Sequence, residues 1–215
     1  MENNLKKYRI KEKKTLNQKV YQSIKNMIFD GELQGGDKLN EVDIANALGV
    51  SATPVRETFR MLSTEGLVEI IPYKGVFVRE YTPEEIKSVY ECRRALENLA
   101  LELAIDKLEK SKLLEFLETI NEENAQISSY DVSNAIHDYI LQTSGNKTLL
   151  DLVERLNYML LHDRMKSAKD PKRKAEICEE HRELILALLD KDLELSKKLM
   201  TEHINKGYEY IKKDI

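Results

Sequence analysis

The chain has 215 residues, 41% of them hydrophobic and 33% charged, which is enough apolar side chains for one large core or two small ones and too many for a disordered chain. Eight Gly and four Pro over that length speak against a loop-rich β protein and for long helices. The net charge of −4 is uneven, because residues 1–79 carry 13 Lys and Arg against 10 Asp and Glu, a net of +3, which leaves −7 on the remainder and points the first part at a polyanion.

Met1 to Lys14 is polar and basic, and residues 1–15 are expected to be a disordered arm without the apolar run of a secretory signal. No stretch is long and apolar enough for a membrane span. Cys92 and Cys178 stand alone, so no disulfide framework is expected and a reducing cytoplasm is the simpler location. Leu16, Val20, Ile24, Met27 and Ile28 recur at helical spacing up to Asp30-Gly31. A short helix over Glu41–Leu48 follows, with Val42, Ile44, Ala45 and Leu48 apolar and Gly49 placed for a left-handed stop. Ser51 is positioned to cap a third helix, in which Val55, Phe59 and Leu62 form a buried face while Thr53, Arg56 and Arg60 form a separate polar stripe. Leu67–Ile71 and Val76–Arg79 read as a two-stranded hairpin with a basic tip, Pro72-Tyr73-Lys74-Gly75.

Beyond the link 80–82 the strand signal ends. Thr82, Pro83 and Glu85 make a capping box for a helix whose apolar face is Ile86, Val89, Tyr90, Leu96, Leu99, Ala100 and Leu103. Further helices are expected at about 110–126, 131–144 (capped by Asp131), 147–167, 171–189 (started by Asp170-Pro171) and 192–213. The fold class is therefore mainly α. A winged helix-turn-helix of three helices and a two-stranded wing occupies 16–79, and an all-α bundle of about six helices occupies 83–215.

A helix-turn-helix with a wing has a physical logic on duplex DNA. The second helix of the pair enters the major groove, so its outer stripe must be small, polar or basic. Here that stripe is Ala52, Thr53, Arg56 and Arg60, with Ser51 and Thr53 able to donate to phosphate from the helix N-terminus. Lys74 and Gly75 at the hairpin tip reach phosphate or the neighbouring minor groove. The bland alternative is a winged helix that only mediates protein contacts. The run "LNEVDIANALGVSATPVRETFRMLSTEGLVEIIPYKGVFV" resembles the N-terminal domain of the GntR family of bacterial transcription regulators. The resemblance implies operator contacts for Ser51, Thr53, Arg56, Lys74 and Gly75. This chain has Ala52 where the family usually has Arg, which implies a different base preference or affinity.

The helical half carries a second resemblance. "ECRRALENLALELA", "IHDYILQTSGN", "EEHREL" and "EHI", in that order, are similar to the ligand-binding FCD domain of the FadR-type subgroup. His137, His181 and His203 lie on three separate predicted helices. They either pack singly or converge on one metal ion, and the resemblance implies the second. His162 has no such context. The family's site commonly adds an Asp one turn before the first His, where this chain has Ser133, while Asp131 is about 120° away round the helix. Three neutral imidazoles suit Zn²⁺ or Ni²⁺ better than a hard ion such as Mn²⁺, and Ser133 is placed to orient a bound water. Arg93 falls on the apolar face and must be paired if buried. It either pairs with Glu97, four residues on, or offers its fork to a ligand carboxylate, as the resemblance ("E-x-R-x-x-L-E", Glu91, Arg93 and Glu97) implies.

The expectation is a ligand-responsive DNA-binding regulator and not an enzyme. It acts as a homodimeric repressor on a pseudo-palindromic operator and answers to a small carboxylic or hydroxy acid. Two rivals remain: a metal-dependent hydrolase built on the three His, and a DNA-binding protein with no effector.

Overall fold

The computed structural model describes residues 15–122, 129–160 and 170–213. The chain divides into two compact units, Met1–Arg79 and Glu80–Ile215. The expected arm at 1–15 lies outside the described residues except for Thr15, which forms a capping box with Gln18 at the start of the first helix.

In the first unit α1 (Leu16–Phe29), β1 (Lys38–Leu39), α2 (Glu41–Leu48), α3 (Ala52–Glu65), β2 (Val68–Ile71) and β3 (Gly75–Val78) follow in order. α1 packs on α3, and α3 packs on β2. Val20, Ile24, Val55, Phe59, Leu62 and Val68 meet in the core. The wing is not the expected two-stranded hairpin. It is a three-stranded antiparallel sheet in the order β1-β3-β2, with Lys38 opposite Phe77 and Leu39 opposite Val76. Two residues are too few to show an alternating pattern, and their pairing is set by β3 rather than by their own sequence. Val42 also departs from expectation: it is 58% exposed, while Ile44 and Ala45 take the inner face of α2.

The second unit consists of α4 (Pro83–Ala104), a 3₁₀ turn (Ile105–Lys107), α5 (Lys110–Glu122), α6 (Ser129–Ser144), α7 (Lys147–Met159), α8 (Pro171–Leu189) and α9 (Leu193–Ile211). The capping box at Thr82 and the cap at Asp170 form as expected. Asp131 does not cap α6. It lies inside that helix, which already runs from Ser129. Expected helical residues beyond Glu122 and beyond Leu160, up to 126 and 167, fall outside the described residues, as does His162. α4 is the central element, packed by α6, α7 and α9, and Ala100, Leu101, Ile136, Ile140, Leu184, Ile185, Met200 and Ile204 build the core. Leu99, expected on the inner face, is 39% exposed. Among the described residues no helix is long and apolar enough to cross a membrane.

Thr58, on α3, is fully buried and its hydroxyl has no hydrogen-bond partner. An unpaired buried hydroxyl is costly, and Val has nearly the same shape. Thr58→Val is expected to raise the unfolding free energy by roughly 1 kcal/mol, measured by urea denaturation. A loss of stability would mean that the hydroxyl is paired in solution.

Candidate nucleic-acid interface and candidate metal centre

The turn between α2 and α3 is closed by Gly49 at φ 66, a left-handed conformation that costs a side-chain-bearing residue energy. Ser51 stands at the N-cap of α3, but its side chain makes no capping hydrogen bond. The expected self-cap is absent, and Ser51 is exposed at the start of α3. Thr53, Arg56 and Arg60 are exposed along one side of α3, and Ala52 is half-buried at its start. The opposite side, Val55, Phe59 and Leu62, is buried. One amphipathic helix thus separates core from reading face. Arg56 is not bare. Its Nε donates to Glu41 at 3.0 and 3.1 Å, and its Nη2 donates at 2.7 Å. This contact holds the Glu41 carboxyl below its ordinary range, mainly through the hydrogen bond from Arg56.

At the wing, Lys74 is exposed and Gly75 has φ 121, where a Cβ would stand 3.1 Å from the Lys38 side chain. Tyr73, in the expected tip but without an expected role, is fully exposed with φ 64. An exposed aromatic beside a Lys in a Pro-containing turn was the available signal.

The second unit brings His137, His181 and His203 together. Each offers a ring nitrogen within 4.8 Å of the others, and all three side chains are buried. The Nε2 atoms of His137 and His181 are 3.3 Å apart. The outer nitrogens of His137 and His203 are held by carboxylates. Glu97 of α4 contacts His137 Nδ1, and Glu180 of α8 contacts His203 Nδ1 at 2.7 Å. Each carboxylate is in turn held by an arginine. Arg93 donates to Glu97 through Nε, and Arg173 donates to Glu180 at 2.8 and 3.2 Å. Arg93 is 4% exposed, and its Nη2 is buried without a hydrogen-bond partner. The two readings of Arg93 therefore divide one side chain: Nε serves Glu97, and Nη2 is left over. The side chain of Ser133 lies outside the described residues.

Glu180 and Arg173 were not foreseen. Glu180 precedes His181 in sequence yet serves His203 on another helix, which no spacing rule announces. Burial alone would raise the Glu180 pKa, but hydrogen bonds from His203 and Arg173 outweigh it and bring it to about 2. Burial dominates at His203, lowering it to about 4 with help from neighbouring His137 and Arg93, although Glu180 opposes the shift. Burial likewise carries His181 well below 6.5, together with repulsion from His203, His137 and Arg93. At neutral pH these two imidazoles are uncharged and can act as ligands.

The donor set fits a divalent ion of borderline softness. Two nitrogens bound to one tetrahedral ion at 2.0–2.1 Å stand about 3.3–3.4 Å apart, which matches the His137–His181 separation. Carboxylates on the outer ring nitrogens orient the imidazoles and raise their basicity.

A winged helix-turn-helix unit followed by a helical unit with a buried imidazole cluster is the arrangement of a DNA-binding transcription regulator. Residues 16–78 match the gntR family of bacterial regulatory proteins, and residues 88–206 match the FCD domain. The chain belongs to the GntR family, with an FCD domain as its helical half. It is 28% identical over 199 residues to the HTH-type transcriptional regulator YdhC of Bacillus subtilis strain 168, covering 89% of each chain. It is 26% identical over 198 residues to the HTH-type transcriptional repressor GlaR of Escherichia coli K12, covering 86% of this chain and 90% of that one. The solved structure of E. coli McbR/YncC shares the fold, with a TM-score of 0.76 at 22% identity, over 92% of this chain and 97% of that one.

Unfolding exposes His203 to its ordinary value of 6.5, while the folded chain holds it near 4. The unfolded state therefore binds the extra proton, and the folded state loses stability as pH falls from 6.5 toward 4. His181 acts in the same direction, and Glu180 does so below 4.5. Chelator-treated protein is expected to lose up to about 1.4 kcal/mol per pH unit for each such group. In His203→Gln the slope of unfolding free energy between pH 6.5 and 4 should be shallower by about one proton. An identical slope would show that His203 is not held neutral.

Proposed function

We propose that this chain is a ligand-responsive repressor. Two copies bind a pseudo-palindromic operator, each through Ser51, Ala52, Thr53, Arg56 and Arg60 on the reading helix and Lys74 and Gly75 on the wing. The helical domain, from residue 83 onward, carries effector binding and dimerisation, and 80–82 links the two. The observation that carries the sensory part is the orphaned Nη2 of Arg93, buried on the guanidinium whose Nε is bound to Glu97, next to the imidazole cluster. A buried cationic donor without a partner is stabilised by an anionic ligand. A small carboxylic or hydroxy acid has the matching charge and planar oxygen pair. The repressor sense is taken from the relative GlaR, a transcriptional repressor.

His137, His181 and His203 would hold the divalent ion, with Zn²⁺ or Ni²⁺ favoured by the all-nitrogen donor set. When bound, the ion supplies a fixed positive charge for the oxygen atoms of the effector. Glu97 and Glu180 keep the outer ring nitrogens engaged, and Arg93 orients the acid. The effector binds one arrangement of the regulator more tightly than the other, and that difference in affinity is the whole of its leverage on operator binding. The hydrolase alternative needs a free general base. The buried carboxylates nearest the imidazoles, Glu97 and Glu180, are each already engaged by an arginine and an imidazole. The cytoplasm is the natural location for a DNA-binding regulator.

Arg56→Ala is expected to weaken binding to the cognate duplex by roughly 5- to 150-fold, the span of one bidentate base contact. Unchanged gel-shift affinity would remove Arg56 from the interface. His181→Ala is expected to abolish stoichiometric metal in elemental analysis, and Glu97→Gln to lower metal affinity about 10- to 100-fold. Equal metal content and affinity in all three proteins would dismiss the site.

A further inference from the structure

The Arg56 guanidinium has two edges able to make paired hydrogen bonds, the Nε–Nη2 side and the Nη1–Nη2 end. All three contacts to Glu41 use Nε and Nη2, so the carboxylate takes the side edge and leaves the end edge of the fork unused by Glu41. The two residues come from different helices. Glu41 is the first residue of α2, and Arg56 lies one turn into α3. The backbone of α2 anchors Glu41 through the Asn40 cap, which accepts from the Val42 amide at 2.9 Å. Glu41 is the better shielded partner, with 28% of its side chain exposed against 58% for Arg56. The carboxylate is thus the fixed member of the pair and the guanidinium the one it aims.

From this geometry we propose that Glu41 is a specificity-determining positioning residue of the reading face. It holds Arg56 by its side edge, so that the end edge meets the two acceptors of a guanine in the major groove. It also neutralises Arg56 toward phosphate. A long, free Arg would close on any backbone phosphate within reach, since that attraction carries no sequence information. Paired to Glu41, Arg56 gains little from a phosphate and keeps its directional donors for O6 and N7 of guanine. The chain has Ala52 in place of a second basic side chain at the start of α3, so the aim of Arg56 carries more of the discrimination. This proposal rests on the placement of Arg56 at the DNA interface.

The test uses the full chain and the duplex that the wild type retains most tightly from a randomised pool. Variants of that duplex have each guanine–cytosine pair replaced in turn, and a scrambled duplex of equal length serves as the non-target. Wild type, Glu41→Gln and Arg56→Ala are titrated against all of them at several salt concentrations. Glu41→Gln removes the charge but keeps the shape, and the melting temperature checks that it folds. For the guanine whose replacement costs wild type most and Arg56→Ala nothing, Glu41→Gln should lose about tenfold of its discrimination. Its affinity for the scrambled duplex should rise, with a salt slope steeper by about 0.9, as one released arginine takes up a phosphate. Wild-type discrimination and slope in Glu41→Gln, with Arg56→Ala impaired, would overturn the role of Glu41 while leaving Arg56 at the interface. A normal Arg56→Ala would overturn both.

Discussion

Each of two carboxylates in the interior of the helical unit holds one arginine and one imidazole. Glu97 ties Arg93 to His137, and Glu180 ties Arg173 to His203. Removing any member leaves a buried charge or a buried donor without compensation, which is far more costly than losing a surface pair. The rest of the unit is arranged around this condition. α4 contributes Arg93 and Glu97 one turn apart, α8 contributes Arg173, Glu180 and His181, and α6 and α9 each bring one imidazole. The apolar layers of Leu101, Ile136, Ile140, Leu184 and Ile204 exclude water and so make the polar cluster rigid.

The negative charges of Glu97 and Glu180 sit on the far nitrogens of two rings. Those charges are already balanced by arginines. The unpartnered Nη2 of Arg93 is a further buried positive donor on the guanidinium that holds Glu97. The two units use the same device at different exposures. Glu41 engages Arg56 on the open reading face as Glu97 engages Arg93 in the core. On the surface, water screens the pair and weakens it, whereas in the core the same contact is far stronger.

Most of the architecture was legible in the chain because it rests on local rules. The capping box at Thr82, the Asp170-Pro171 start, the Gly49 stop and the 3.6-residue rhythm of Val55, Phe59 and Leu62 are all encoded within a few residues of where they act. The short strand at Lys38–Leu39 escaped because a two-residue strand exists only through its partner, and Asp131 misled because a good capping residue also stands at a helix interior when the turn before it continues. The exposed positions of Val42 and Leu99 could not be read from hydrophobicity, which marks what can be buried and not what is.

The sequence by itself determined which side chains were present at helical spacing: three imidazoles on three helices, Arg93 one turn from Glu97, and a polar stripe along α3. Those are matters of period and composition, and a helix carries them wherever it packs. Tertiary structure alone decided that the imidazoles meet, that Glu180 serves His203 and not its neighbour His181, that Nη2 of Arg93 is left unpaired, and that Glu41 grips Arg56 across fifteen residues. Such contacts join groups far apart along the chain, so their existence depends on helix crossing and rotation, which are set by the packing of the whole core rather than by any segment.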